Sequence, residues 1–171
     1  QTWKWKRRLE NFADNDKVVV MLGDNIIGKD IKKPIEEFRS QPKGAKIILK
    51  KVDDPERFGV AELKGNRIIS IEEKPKKPKS DYAVTGIYMY DSKVFEIIKR
   101  LKPSRRGELE ITDVNNAYLK KRELTYSMLD GWWTDSGTFE SLLNANILVA
   151  KQAVIASDRE AKPKQERSNP K

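Results

Sequence analysis

Two aspartates that lie far apart in the chain each occupy a segment able to present a carboxylate to a metal ion. Asp24 comes just after the apolar run 17–22, and Asp135 lies within the segment Trp-Thr-Asp-Ser-Gly-Thr at 133–138. Ligands of open α/β sheets bind beyond the carboxyl ends of strands, and Mg²⁺ is commonly held by one or two carboxylates together with substrate phosphates. Each segment alone also suits an ordinary turn or a helix cap. The functional interpretation therefore requires both aspartates to share one metal site.

A third segment places a carboxylate beside an ammonium group. In Ile-Glu-Glu-Lys-Pro at 71–75, the carboxylate of Glu73 suits sugar hydroxyls and the compact charge of Lys74 suits a phosphate. The alternative is a solvated run of charges, because three more lysines follow closely. Gly59, at the entry to a predicted strand, either lets a ligand approach the backbone or only eases the turn, and the glycine itself does not decide between these.

The chain contains no cysteine and no histidine. Thiolate zinc sites, disulfides, imidazole metal sites and Ser-His-Asp triads are therefore excluded for this sequence. Any chemistry must depend on carboxylates, lysine, arginine, hydroxyls and hard metal ions. That inventory favours phosphoryl or nucleotidyl transfer, in which positioning and charge neutralisation supply most of the catalysis.

The formal charge of +9 suggests nucleic-acid binding, but its distribution disfavours it. Residues 1–10 and 151–171 each carry a net +3, which leaves only +3 for residues 11–150. The sequence also lacks an apolar run approaching the roughly 18 residues of a membrane helix, and it shows no secretory signal. We expect a soluble, cytoplasmic protein without a membrane partner.

The pattern of apolar residues predicts an α/β domain over residues 17–156, preceded by a poorly matched segment 1–16 and followed by a polar, flexible tail 157–171. The run 17–22 predicts a strand buried in a parallel sheet. Near Thr112 and Asp113, two good capping residues predict a helix start. The remaining predicted strands are 45–52, the hairpin 58–63 with 67–71, 82–90 and 124–129; helices are predicted around 31–38, 94–101 and 139–150.

Six segments in this order resemble the glucose-1-phosphate thymidylyltransferase family of sugar-1-phosphate nucleotidyltransferases. The similarity spans roughly residues 17 to 150, and the run 106–113 resembles the thymidylyl branch more than the uridylyl or adenylyl relatives. The matching segments are LGDN at 22–25, DDPERFGV at 53–60, EEKP at 72–75, YAVTGIYMYD at 82–91, LKPSRRGELEITDVN at 101–115 and WTDSGT at 133–138.

The resemblance implies a Rossmann-like enzyme that makes dTDP-glucose and pyrophosphate from dTTP and glucose 1-phosphate with Mg²⁺. It implies that Asp24 and Asp135 hold the metal and that Lys74 holds the sugar phosphate, and these three are the predicted catalytic residues. The nucleophile in such a reaction is a phosphate oxygen, already anionic at neutral pH, so no general base is needed. The sugar contacts implied are Gly59, Glu73 and Val84, with Tyr88 and Trp133 lining the pocket; Arg106 and Glu110 are expected in structural or subunit contacts.

One departure from the family concerns its opening glycine-rich segment, which is followed by Thr-Arg and then a lysine that together hold the triphosphate. Nothing in this sequence matches that segment, so we expect a partial Rossmann-like fold: a mixed sheet with flanking helices that lacks its N-terminal strands and exposes an apolar edge. We expect little turnover from the isolated chain, a possible separate N-terminal half and a homo-oligomer. Two alternatives stay open: a non-catalytic nucleotide-sugar-binding or assembly module, and a basic nucleic-acid-binding protein.

Overall fold

The computed structural model describes residues 10–103, 107 and 109–161. Arg106 lies outside these residues. Among the described helices, none combines the length and apolar character needed to cross a bilayer. The elements are, in chain order, β1 (Val18–Met21), β2 (Asn25–Ile27), α1 (Lys32–Ser40), β3 (Ala45–Lys51), a 3₁₀ turn (Pro55–Arg57), β4 (Gly59–Lys64), β5 (Arg67–Glu73), β6 (Tyr82–Tyr90), α2 (Val94–Arg100), α3 (Ile111–Lys120), β7 (Leu124–Met128), β8 (Trp133–Asp135) and α4 (Phe139–Ala161).

The main sheet is mixed, as the sequence predicted, and is built around β6. Strand β3 pairs antiparallel along one edge of β6, while β4 and β1 follow one another along its other edge. β5 extends the sheet beyond β4, and β7 extends it beyond β3 in the parallel direction. A separate two-stranded sheet joins β2 to β8.

Apolar side chains on the central strands alternate between two cores, one on each face of the sheet. Ile47 and Tyr90 point to the larger core, where α2 and α3 pack. Ile48 and Met89, their neighbours in sequence, point to the smaller core beneath Phe38 of α1. Burial on both faces explains why β3 and β6 have nearly continuous apolar sequences.

The prediction for the run 17–22 was wrong in two respects. β1 pairs antiparallel with β6 instead of lying within a parallel sheet, and the side chains of Val19 and Met21 are 44% and 45% exposed. Among the described residues β1 pairs along one edge only, and its exposed apolar side chains lie on one face of the strand. The exposed apolar edge expected from the sequence is therefore present.

Two other boundaries differ from the sequence prediction, and a segment without a predicted element is partly helical. Helix α3 begins at Ile111, with Glu110 at the capping position, so Thr112 lies inside the first turn. Helix α4 continues through Ala161, beyond the predicted start of a flexible tail at 157. In the segment expected to match poorly, residues 10–13 are helical and Ala13 is buried in the larger core.

We predict that Asp91→Ala will destabilise the fold by about 2–6 kcal/mol, because it leaves two buried donors without an acceptor at roughly 1–3 kcal/mol each. The buried carboxylate of Asp91 accepts hydrogen bonds from the backbone N–H of Gly44 and the hydroxyl of Tyr118, both at 2.7 Å. Urea unfolding measures the change. Asp81→Ala is the control, since the exposed Asp81 only approaches Lys51 at 3.8 Å, and it should cost at most about 1 kcal/mol.

Candidate active site

Pairing of the two short strands β2 and β8 brings the predicted metal ligands together. In their antiparallel register Asn25 lies opposite Asp135, so Asp24 lies at the same end of the small sheet as Asp135. The backbone N–H and the hydroxyl of Ser136 both donate to the carbonyl oxygen of Asp24, at 2.7 and 2.9 Å. Backbone pairing between β2 and β8 therefore brings together two aspartates that lie far apart in the sequence.

Each of these carboxylates has one oxygen engaged by a local donor. Oδ1 of Asp24 accepts from the side-chain amide of Asn25 at 2.8 Å, and Oδ1 of Asp135 accepts from the backbone N–H of Gly137 at 2.6 Å. The side-chain hydrogen bonds of the described residues do not engage the second oxygen, Oδ2, of either aspartate. Two carboxylates with free oxygens fit a hard cation such as Mg²⁺, which takes oxygen ligands.

A metal here would need further ligands from water or substrate. Within the described residues, no group of three or more acidic, histidine or cysteine side chains is placed to hold a metal ion. Mg²⁺ commonly keeps several waters and is bound by one or two carboxylates plus substrate phosphates. The pair of aspartates is therefore suited to a metal that arrives with a phosphorylated ligand.

The predicted site residues all line one cavity of about 210 Å³. Three larger cavities, of about 620, 760 and 860 Å³, are lined by none of the predicted residues, so size alone does not identify the site. The residues brought together are Asp24, Gly59, Glu73, Lys74, Val84, Tyr88, Trp133 and Asp135.

Three neighbouring strands position the residues predicted to contact a sugar. Gly59 opens β4 and lies between Glu73, its partner on β5, and Val84, its partner on β6. A side-chain Cβ added to Gly59 would lie 3.3 Å from the carboxylate of Glu73 and 3.4 Å from the hydroxyl of Thr112. Close approach of a ligand, one of the two interpretations left open by the sequence, is compatible with this crowding.

Lys74 follows β5 in a left-handed backbone conformation, with φ of 44°. Its backbone N–H donates to the carbonyl of Phe58 at 3.0 Å, and the buried Pro75 comes next. A non-glycine residue in this region costs of order 1–3 kcal/mol, and such strain concentrates at ligand clamps and active sites. Lys74 is exposed and is one of the residues that line the cavity.

Two aromatic side chains form much of the cavity wall. Tyr88 is buried, and burial, with a smaller contribution from the charges of Glu73 and Asp24, raises the pKa of its hydroxyl well above the ordinary value. The hydroxyl therefore stays protonated and able to donate. The indole N–H of Trp133 donates to Asn25 at 2.7 Å, and its ring lies 5.0 Å from that of Phe58, tilted by 57°.

Sequence reasoning missed Asn25 and Thr112 as site residues. The hydroxyl of Thr112 donates to the carboxylate of Glu73 at 2.5 Å, although the sequence favoured a capping role for it. Asn25 belongs to a segment whose residue types suit an ordinary turn, yet its side chain contacts both Asp24 and Trp133. Both residues lie inside segments that resemble the family, and that resemblance is the signal that could have identified them as site residues.

Comparison with known proteins identifies the family of this chain. A model of the nucleotidyl transferase family matches residues 6–152. The glucose-1-phosphate thymidylyltransferase of Neisseria meningitidis is 49% identical over 140 residues, which cover 80% of this chain and 49% of the relative. That of an Actinoplanes species is 41% identical over 140 residues, covering 80% and 46%. The chain thus spans about half the length of the curated relatives it matches.

Solved structures of two such enzymes are similar to this chain. A Bacillus anthracis protein, described as a glucose-1-phosphate thymidylyltransferase and crystallised with sucrose, is 63% identical with a TM-score of 0.78, over 82% of this chain and 57% of that one. UDP-glucose pyrophosphorylase bound to UDP-glucose, at 21% identity and a TM-score of 0.74 over 89% of this chain and 64% of that one, shares the fold. On these grounds the chain belongs to the nucleotidyl transferase family.

Proposed function

We propose that this chain provides the sugar-phosphate and metal-binding part of a glucose-1-phosphate thymidylyltransferase. In that reaction an oxygen of glucose 1-phosphate bonds to the α-phosphorus of dTTP, the bond from that phosphorus to pyrophosphate breaks, and dTDP-glucose forms. The observation that carries the proposal is the convergence of Asp24, Asp135, Glu73 and Lys74 on one cavity. The similarity to the Neisseria enzyme supports the choice of substrates.

In the proposed site each side chain has a binding or orienting role. The carboxylate of Glu73, held by Thr112, accepts hydrogen bonds from sugar hydroxyls, and the protonated Tyr88 donates to the ligand. The ammonium of Lys74 neutralises the sugar phosphate. Because the attacking phosphate oxygen is already anionic, the site needs alignment and positive charge in place of a general base. A chain without histidine can therefore bind and align the sugar phosphate in this reaction.

The proposed resident metal is Mg²⁺, held by Asp24 and Asp135. When bound, it would neutralise charge on the reacting phosphates. The two aspartates alone leave coordination positions for those phosphates, in line with the usual binding of Mg²⁺.

We propose that the residues that bind dTTP are supplied by polypeptide packed against β1 and α4. Besides the outward residues of β1, helix α4 exposes large apolar side chains: Phe139, Leu143 and Val154 are 95%, 62% and 60% exposed. Phe139, Leu143 and Val154 fall on one side of the helix by their spacing, and exposed apolar residues grouped in this way are typical of interaction surfaces. The predicted homo-oligomer, cytoplasmic location and subunit-contact role of Glu110 stay predictions.

The test measures pyrophosphate release from dTTP, glucose 1-phosphate and Mg²⁺. We expect the chain alone to be stabilised against heat by glucose 1-phosphate with Mg²⁺ but to turn over little. Adding a separately expressed polypeptide that carries the glycine-rich Thr-Arg segment of a relative should restore release. Binding without turnover in the mixture would favour the non-catalytic module. DNA affinity that falls steeply with salt, without sugar-phosphate binding, would favour the nucleic-acid binder.

Gly59→Ala should lower the affinity for glucose 1-phosphate about tenfold, as calorimetric titration can measure. The new methyl group would crowd Glu73 and Thr112 where the sugar is proposed to lie, and overpacking typically costs 1–3 kcal/mol. Gly23→Ala is the matched control, because a Cβ there meets nothing within 4 Å. Equal affinities for the two variants would contradict the assigned sugar position.

A further inference from the structure

The side chain of Asn25 connects the proposed metal ligands to the sugar pocket. Its amide nitrogen donates to Oδ1 of Asp24 at 2.8 Å, and its amide oxygen accepts from the indole of Trp133 at 2.7 Å and from the backbone N–H of Gly86 at 2.8 Å. The residue is only 8% exposed. One buried amide thus contacts both Asp24, a proposed metal ligand, and Trp133, which lines the sugar pocket.

The orientation of this amide is determined by its partners. Trp133 and Gly86 present N–H groups, which can only donate, and the carboxylate of Asp24 can only accept. A flipped amide would oppose two donors with an NH₂ group and would face a carboxylate with its oxygen. Asparagine, with one acceptor and one donor end, satisfies all three partners at once.

Gly86 provides the space for this side chain. A Cβ at position 86 would lie 2.2 Å from the amide nitrogen of Asn25, closer than any real contact. The carbonyl of Gly86 also accepts from the N–H of Leu22 at 2.9 Å, which holds the turn leading to Asp24. The central strand β6 therefore has a gap that the Asn25 side chain fills.

We propose that Asn25 is a positioning residue that orients the Asp24 carboxylate and the Trp133 indole as one unit. Its bond to Oδ1 leaves Oδ2 of Asp24 for a cation, and its acceptor holds the indole in the wall of the cavity. This inference rests on the proposed function for the identity of the ligands. The positioning itself concerns the free protein and can be tested without them.

The first measurement uses the indole N–H signals of the full chain labelled with ¹⁵N, assigned through Trp133→Phe and Trp132→Phe. In the wild type, the Trp133 N–H should exchange with solvent at least about tenfold more slowly than that of Trp132. The acceptor of Trp133 is buried, whereas Trp132 donates to the exposed Gln152 at 2.8 Å. Equal exchange rates would overturn the proposal, whether or not Asn25→Ala folds.

The second measurement compares Asn25→Ala with Asn116→Ala. Asn116 is a matched control, since it is partly buried and its amide donates to the carbonyl of Ile71 at 3.1 Å, away from the cavity. Only Asn25→Ala should shift the Trp133 indole resonance. It should also weaken Mn²⁺ binding, followed by electron paramagnetic resonance, about tenfold or more, as loss of an outer-shell partner typically does.

The outcomes separate this inference from the proposed function. If the wild type binds no Mn²⁺, with or without glucose 1-phosphate, the proposed function fails, and the indole measurements alone decide the role of Asn25. If the wild type binds Mn²⁺ and Asn25→Ala retains both the affinity and the indole resonance, Asn25 has no positioning role and the inference is wrong.

Discussion

Asp135→Asn and Asp24→Asn should each weaken Mn²⁺ binding by about a hundredfold or more, while the fold is retained. Each change removes one of the two anionic ligands, and a hundredfold loss corresponds to about 2.8 kcal/mol. The amide oxygen that replaces each carboxylate oxygen can still accept the present hydrogen bond, from Gly137 in one case and Asn25 in the other. Each variant therefore keeps this hydrogen bond, while the second oxygen becomes an NH₂ group that cannot bind a cation.

Calorimetric titration with Mn²⁺, in the presence of glucose 1-phosphate, measures this loss. Asp130→Asn is the matched control, because Asp130 is exposed and lines a different cavity. It should bind Mn²⁺ as the wild type does. An unchanged affinity in the Asp24 and Asp135 variants would show that the two carboxylates do not hold the metal, and the proposed function would lose its main support.

Lys74→Gln should weaken glucose 1-phosphate binding about 10- to 100-fold, because a hydrogen bond to a charged group contributes roughly 1.5–3 kcal/mol. The same position offers a second readout through its strained backbone, with φ of 44°. Lys74→Gly should abolish the phosphate contact as well, yet it should raise the free energy of unfolding by about 1 kcal/mol, since glycine adopts this conformation freely.

The control for the charge is Lys77→Gln, which removes an exposed lysine of the same segment outside the cavity lining. Its affinity for glucose 1-phosphate should match that of the wild type. If Lys77→Gln and Lys74→Gln weaken binding equally, the segment acts as a general basic surface, which was the alternative left open by the sequence. If Lys74→Gly is more stable than the wild type and binds glucose 1-phosphate equally well, neither the lysine nor its strained backbone contributes to ligand binding.

The positions of most elements followed from local pattern alone. Short runs of apolar, β-branched and aromatic residues, bounded by turn residues, indicated β3, the β4–β5 hairpin and β6. The failures occurred where tertiary contacts override local preference. Thr112, a good cap by residue type, lies inside α3 and contacts Glu73, and no local rule specifies a partner so distant in sequence.

Residue types and their order determined the kind of chemistry and the candidate residues. The sequence alone identified the absence of histidine and cysteine, the two aspartates Asp24 and Asp135, and the Glu73–Lys74 pair. Only the tertiary structure decided that these groups share one cavity and that Asn25 connects two of them. The physical reason is that β2 and β8 are too short to be recognised by periodicity, and they form through pairing between segments that lie far apart in the chain.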